Sequence, residues 1–399
     1  MKNQMTICIV APYSPVGTDS PNLGASRKLE TYISILSKIA SRIVLVNSAH
    51  NSTGFARTKV AERQIAGAAV TEICPPQLPN RQLGKLAQLF IARRLAKAVQ
   101  KKYSPELTWL YNGYSFECIF GSQIGTYSVS ALILEFEDWH FARKRHFSLK
   151  PVIDHYFWKR LAPSIKHAFC VNDYLANKLR PFGTSTTVIP GLIPEEIAKL
   201  SEIATPFKDS GTSELKEKYT VGYFGGLSTE KGASLILDLI KSSDLNCRYI
   251  VCGTGELLKE FKNLAGTLPN ILSVSSQLPF EEMVTLMSQC DVLLNPHKVT
   301  KNFLEGVFPS KVLEAIGSGR MVISTALPEL SASQVLDGVF FCDETALAFS
   351  ECIRKAPALY QAKRDMVQRA SNLATREFGV AAVRDRIRSQ LGDNRRPVE

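Results

Sequence analysis

The chain contains nine cysteines but no C-x-x-C pair and no zinc spacing, so neither a redox motif nor a zinc module is supported. Cys8, Cys170 and Cys252 lie in apolar, strand-like runs where a reduced, buried thiol is expected. That usage points to a reducing cytoplasm. No apolar run approaches the roughly 18 residues that a membrane-spanning helix needs. The N-terminus enters a strand at once, without signal-peptide architecture, so the expected location is cytoplasmic, with any membrane contact peripheral on the inner face of the cell membrane. The spaced-glycine fingerprint G-x-G-x-x-G is missing, no D-x-D pair stands in a suitable loop, and no fixed short period repeats. Acidic residues are also in deficit, 37 against 48 basic, giving a net charge of +11 and an isoelectric point near 9.2. Such a balance favours phosphorylated ligands, anionic lipid surfaces or nucleic acid, and does not choose among them.

A length of 399 residues exceeds what one hydrophobic core usually supports, so two domains of similar size are expected. The first begins as strand, glycine-bearing loop, helix and strand, the start of a parallel sheet. Residues 6–11 form the buried run. Leu29, Ile33, Leu36 and Ile39 give one apolar face to a helix expected from about Ser26, with Gly24 before it and Arg27 as an early cation. Residues 81–102, RQLGKLAQLFIARRLAKAVQKK, carry seven basic residues and no acidic one. This amphipathic helix suits an anionic lipid surface, and packing on the sheet with a solvated outer face is the favoured alternative. A second basic zone, 143–166, includes Phe147, Tyr156, Phe157 and Trp158. No RNA-binding motif accompanies either zone, so nucleic acid is not expected.

Strand-like runs at 107–111 and 130–136 follow, the second ending in Glu137, Asp138, Trp139 and His140. Ligands bind beyond the carboxyl ends of strands in open α/β sheets, which makes Asp138 the first candidate carboxylate and His140 its neighbour. Capping of the next helix is the alternative role for either. Residues 167–191 give strand, helix and strand once more and close the first domain. Charged residues 192–218, with Pro194, Pro206 and Gly211, read as a linker. The second α/β half opens with YTVGYFGGLSTEKGASLILDLIK. Its strand ends at Gly225 and Gly226, and Lys231 and Gly232 introduce a helix whose free N–H groups and nearby cation suit a diphosphate. Another strand ends at Asn295, Pro296 and His297, with His297 read as a loop residue.

Residues 303–325, FLEGVFPSKVLEAIGSGRMVIST, organise this half as a loop, a short helix and a strand. Pro309 fixes φ at the helix start, Val312, Leu313 and Ile316 form its apolar stripe, and Gly317 and Gly319 end it. Glu314 lies one turn in.

The run F-P-S-K-V-L-E-A-x-x-S-G-x-x-V-I-S resembles the donor-site signature of the GT-B glycosyltransferases, specifically the retaining family 4. The resemblance implies two Rossmann-like parallel-sheet domains facing across a cleft, with a C-terminal helix crossing back to the first. It implies domains at 1–191 and 219–375, joined by 192–218, with 376–399 as the crossing helix and tail. Glu314 would hold the nucleotide ribose, and Pro309, Ser310 and Lys311 the sugar and diphosphate. Gly306 stands where many members have a second glutamate, with Glu305 adjacent. Lys231 matches the lysine of the family's G-R-x-x-x-x-K-G loop, with Gly225 opening it and Gly226 at the arginine position. Glu135 and Asp138 match an E-x-x-D stretch, and the loop with Gly24 and Arg27 would meet the acceptor or the donor phosphate.

The implied activity is sugar transfer, with retention, from a nucleotide diphosphate sugar to a glycan or lipid-linked hydroxyl. Bacterial surface polysaccharide or glycolipid synthesis would suit it. Catalytic roles fall to Lys231, Asp138 and His140, and no metal or permanently bound cofactor is expected. The alternative is a catalytically weakened sugar-nucleotide-binding or membrane-associated scaffold protein of the same fold.

Overall fold

The computed structural model describes residues 5–15, 18, 23–49, 57–76, 81–126, 130–142, 150–203, 206–207, 219–242, 247–276, 278–330 and 333–393. Its contacts divide the chain into two compact units, Met1–Ile189 with Arg384–Glu399, and Pro190–Val383.

The first unit is built on strands β1 (Thr6–Ala11), β2 (Arg42–Asn47), β3 (Lys59–Ile65), β4 (Ala68–Cys74), β5 (Leu107–Tyr111), β6 (Ala131–Phe136), β7 (Ile165–Cys170) and β8 (Ser185–Val188). They form one sheet in the order β3-β4-β2-β1-β5-β6-β7-β8, in which β3 alone runs antiparallel to its neighbour. Every residue of β1 is buried, as expected of a parallel strand covered on both faces. At the centre Trp109 stacks on Phe169 at 5.1 Å and tilts against Tyr32 at 5.2 Å.

The β3–β4 hairpin turns through Ala66 (φ 49°) and Gly67 (φ 75°), the left-handed pair of a tight hairpin turn. Six of the seven residues of β3 are exposed, so this edge strand has no apolar face for a sequence reading to find. The basic stretch folds as the helix Arg81–Tyr103. Its Ala92, Leu95, Ala96 and Val99 are buried at helical spacing and turn toward helix Ser115–Gly125.

The second unit contains β9 (Tyr219–Phe224), β10 (Cys247–Cys252), β11 (Leu272–Ser275), β12 (Val292–Asn295), β13 (Met321–Ser324) and β14 (Val339–Phe341). The sheet order is β11-β10-β9-β12-β13-β14, and all its pairs are parallel. Strand order reverses between β9 and β12, which opens a crevice at their carboxyl ends. Val221, Tyr223, Ile236, Ile240, Val251, Phe261, Leu294 and Phe349 belong to the core around this sheet.

The stretch read as a linker holds two short helices, Glu195–Ala198 and Leu200–Ile203. Ile193, Ile197 and Leu200 are buried there, and the Ile193 N–H donates to the Phe378 carbonyl at 2.8 Å. Four apolar side chains among the charges, Leu192 included, account for this anchoring.

Candidate functional site

At the carboxyl end of β9 the chain passes through Gly225 and Gly226 directly against the loop that follows β10. A Cβ at Gly253 would lie 1.8 Å from the Gly225 carbonyl oxygen, so only a glycine allows the two backbones to approach this closely. The Gly225 N–H donates to the Cys252 carbonyl at 3.0 Å and that of Leu227 to the Thr254 carbonyl at 2.8 Å. Residues 228–232 then turn back, with the N–H groups of Lys231 and Ala233 both donating to the Ser228 carbonyl at 3.1 Å. The turn requires glycine at 232, where φ is +77° and a Cβ would fall 1.6 Å from the Pro296 carbonyl oxygen. Beneath it the buried Tyr223 hydroxyl donates to the Gly226 carbonyl at 2.8 Å, with the Lys231 carbonyl 3.3 Å away.

This close approach brings the residues after β12 to Lys231. Lys231 Nζ donates to His297 Nε2 at 3.1 Å, and His297 Nδ1 lies 3.2 Å from the Lys298 carbonyl. The two contacts together set the tautomer with the proton on Nδ1. The ring stacks on Phe303 at 3.9 Å with an interplanar angle of 13°. Burial, reinforced by the Lys231 charge, holds His297 down at about 3, so it accepts from the lysine as a neutral imidazole. The sequence reading gave His297 only a loop position. It is indeed in a loop, but it is 3% exposed and bound to the principal candidate cation.

The second cationic group comes from helix Ser310–Gly317, which starts after Pro309 without a side-chain cap. Its first N–H groups and positive dipole end are therefore not taken by a capping side chain. Gly191 receives the helix closely, since a Cβ there would lie 3.0 Å from that of Ser310. Lys311 Nζ sits over the Tyr223 ring at 4.8 Å, beside Gly225, where a Cβ would be 3.1 Å from it. Burial, then the neighbouring Lys231 charge, depresses the Lys311 ammonium to about 7.

Glu314 lies one turn further along the same helix and is partly buried. Gly306 ends a short helix, Lys301–Gly306, where a loop was expected; Thr300 caps it by accepting from the Phe303 N–H. The Glu305 side chain lies outside the described residues. Gly225, Gly226, Lys231 and Lys311 are thus brought together at the strand-order reversal, with Tyr223, His297 and Phe303 as additional members.

The candidates in the first unit divide differently. Helix Leu23–Leu36 begins before Ser26, so Gly24 is exposed inside its first turn and Arg27 follows that turn. Glu135 is engaged within the fold, with Lys28 Nζ at 3.2 Å and Trp109 Nε1 donating at 3.0 Å. Burial raises its carboxyl to about 7, against the pull of Lys28. Lys28 also pairs with Glu137, which accepts from the Tyr111 hydroxyl at 2.5 Å. Burial alone would raise Glu137, but Lys28 outweighs it and holds the carboxyl low. Asp138 is buried at the end of β6, and His140 Nε2 stands 3.8 Å from Asp154 Oδ2. The sequence reading chose Arg27 and missed Lys28, its neighbour, because only the folded helix shows which of the two turns inward. Among the described residues no cluster of three or more His, Cys, Asp or Glu could hold a metal ion, and no helix is long and apolar enough to cross a membrane.

Residues 206–373 match the family model described as glycosyl transferases group 1. The second unit carries a group 1 glycosyl transferase domain. Across both units the chain has the GT-B fold, two parallel-sheet α/β domains. A sucrose-phosphate synthase from Thermosynechococcus elongatus aligns with a TM-score of 0.71 at 14% identity, over 98% of each chain. Anabaena HepE in complex with UDP-glucose aligns with a TM-score of 0.66 at 15% identity, over 98% of this chain and 100% of that one. An α,α-trehalose-phosphate synthase (UDP-forming) from Burkholderia xenovorans, in complex with glucose-6-phosphate, gives 0.66 at 13% identity, over 97% and 100%. No curated protein sequence matches the chain. In the transferase domain the cationic cluster lies within the matched segment.

Proposed function

We propose that the protein transfers a sugar from a nucleotide diphosphate sugar to an acceptor hydroxyl with retention of configuration. The observation that carries this reading is the meeting of Lys231, His297 and Lys311 at the strand-order reversal of the transferase domain. In the transfer the bond from the anomeric carbon to the diphosphate oxygen breaks, and its electron pair leaves with the diphosphate. The acceptor oxygen bonds to that carbon, and its proton passes to the departing phosphate. The main electrostatic task is to stabilise charge growing on the diphosphate. We assign it to Lys231, Lys311 and the N–H groups at Ser310, a set that works without a divalent ion.

Glu314 is assigned to the ribose, and Pro309, Gly306 and Glu305 to the sugar side. The acceptor is assigned to the first unit, with Asp138 and His140 beside its hydroxyl and Gly24, Arg27 and Glu135 around them. The UDP-glucose of HepE favours a uridine diphosphate sugar as the first donor to test, and a surface glycan or glycolipid acceptor would suit the basic chain. The divisions proposed are 1–191, 192–218, 219–375 and 376–399.

A thermal-shift screen of nucleotide sugars tests the donor assignment. One donor is expected to raise the Tm of the wild type at concentrations far above its Kd, and to lose that effect with Glu314→Ala. A uniform absence of shift would overturn the assignment. Donor binding with no release of nucleoside diphosphate, whatever acceptor is supplied, would identify the binding-protein alternative.

A second feature favours peripheral contact with anionic membrane. On helix Arg81–Tyr103, exposed Phe90 (73%) shares a helical face with Arg93, Arg94 and Lys97. On helix Lys150–Leu161, exposed Val152 and Tyr156 share one with Lys159 and Arg160. Apolar side chains set among cations suit the headgroup boundary of an anionic bilayer.

A further inference from the structure

Lys311 carries an amino group that burial has stripped of water without supplying an acceptor. Its Nζ is shielded from solvent and has no hydrogen-bond partner among the described residues. The groups facing it are the Tyr223 ring on β9, Lys231 on the loop after β9, and His297 after β12. Tyr223 is held as a neutral phenol by burial, His297 is neutral, and Lys231 is a second cation. Its own helix contributes Glu314 three residues on. A buried ammonium beside a like charge is costly, and the cheaper state is the amine.

We propose that Lys311 is a neutral amine in the empty site and becomes an ammonium when a diphosphate enters, so that donor binding draws one proton from solvent. The inference rests on the donor reading above. An entering diphosphate supplies the missing acceptor oxygens and reverses the sign of the local field. The amine lone pair takes the proton, and no bond to the ligand forms or breaks.

The direction of the pH dependence follows. Lys311 in the empty site titrates at about 7, and the bound diphosphate raises that value. Affinity is therefore complete below the empty-site value and falls as pH rises through it, by about tenfold per unit until the bound-state value is reached. The site thus reads the ligand's charge: a nucleoside lacking phosphates brings nothing to protonate Lys311.

The test is titration calorimetry of the full chain at pH 8 with UDP, ADP and GDP in turn, in HEPES and in Tris, whose ionisation enthalpies differ. The difference in heat gives the protons taken up. For the diphosphate that binds, about nine-tenths of a proton per site is expected one unit above the empty-site value, and none for the parent nucleoside. Lys311→Arg, permanently charged, should bind without uptake, and Lys311→Gln should lose both affinity and uptake. Should Lys311→Arg melt early, the wild-type Kd between pH 6.5 and 9 decides alone, because a flat profile overturns the proposal. Binding without uptake, or uptake that survives Lys311→Arg and vanishes with His297→Gln, overturns the proton assignment while leaving the donor site standing. If none of the diphosphates binds, the donor reading fails and takes the proposal with it.

Discussion

Glu117 shows how much a single buried group reveals about its surroundings. It is 2% exposed, accepts from the Ser48 hydroxyl at 2.5 Å through Oε1, and leaves Oε2 without a partner among the described residues. Burial raises its carboxyl to about 7. A carboxyl whose folded value lies above its unfolded value favours the folded state while protonated, and that contribution is lost as pH rises from the unfolded value through the folded one. Glu117→Gln keeps the acceptor for Ser48 and removes the charge. It should stabilise the protein by roughly 1–3 kcal/mol at pH 8 and by almost nothing at about pH 3.5, below the unfolded value, measured as urea midpoints at the two pH values. Equal effects at both would show that ionisation is not the cause.

Single residues were unevenly legible in the sequence. Lys231 was marked by a local pattern, a glycine loop before a helix, and Lys311 by the resemblance of its motif to the family signature. The Lys231–His297 bond joins positions 66 apart, and no local spacing announces such a pairing. The same holds for Lys28 with Glu135 and Glu137, more than a hundred residues on.

At the level of elements, parallel strands were readable because burial on both faces demands unbroken apolar runs. β3 escaped because its side chains face water, and helix Lys301–Gly306 because six residues are too few to show a period. The carboxyl end of β6 depends on one residue of the neighbouring turn. Asn112, 1% exposed and held at φ 56°, accepts through Oδ1 from the N–H groups of both Glu137 and Asp138 at 2.9 Å. This fixes the backbone that presents Asp138. Asn112→Ala keeps the left-handed backbone without the side-chain bonds that ease it, and leaves the Glu137 and Asp138 N–H groups without their acceptor. The expected loss is about 2–4 kcal/mol in urea unfolding. A loss below roughly 0.5 kcal/mol, the range of an ordinary surface substitution, would show that the turn holds itself.

At the scale of the whole molecule, charge joins the two proposed roles, since a net +11 favours both a diphosphate and an anionic surface. The peripheral reading predicts co-sedimentation with phosphatidylglycerol vesicles, little with phosphatidylcholine alone, and release by salt. Reversing Arg93, Arg94 and Lys97 to glutamate should abolish sedimentation while leaving nucleotide affinity unchanged. Equal binding to both vesicle types would remove the electrostatic basis of the idea.

The proposed donor site divides its labour within the second unit: Lys231 for the diphosphate, Glu314 for the ribose. It is tested most directly by measuring Kd for a nucleoside diphosphate and for its parent nucleoside in wild type, Lys231→Ala and Glu314→Ala. Loss of a charge-assisted phosphate contact should weaken the diphosphate by about 10- to 100-fold and leave the nucleoside unchanged in Lys231→Ala, whereas Glu314→Ala should weaken both. A diphosphate affinity unaltered by Lys231→Ala would show that Lys231 does not hold the diphosphate.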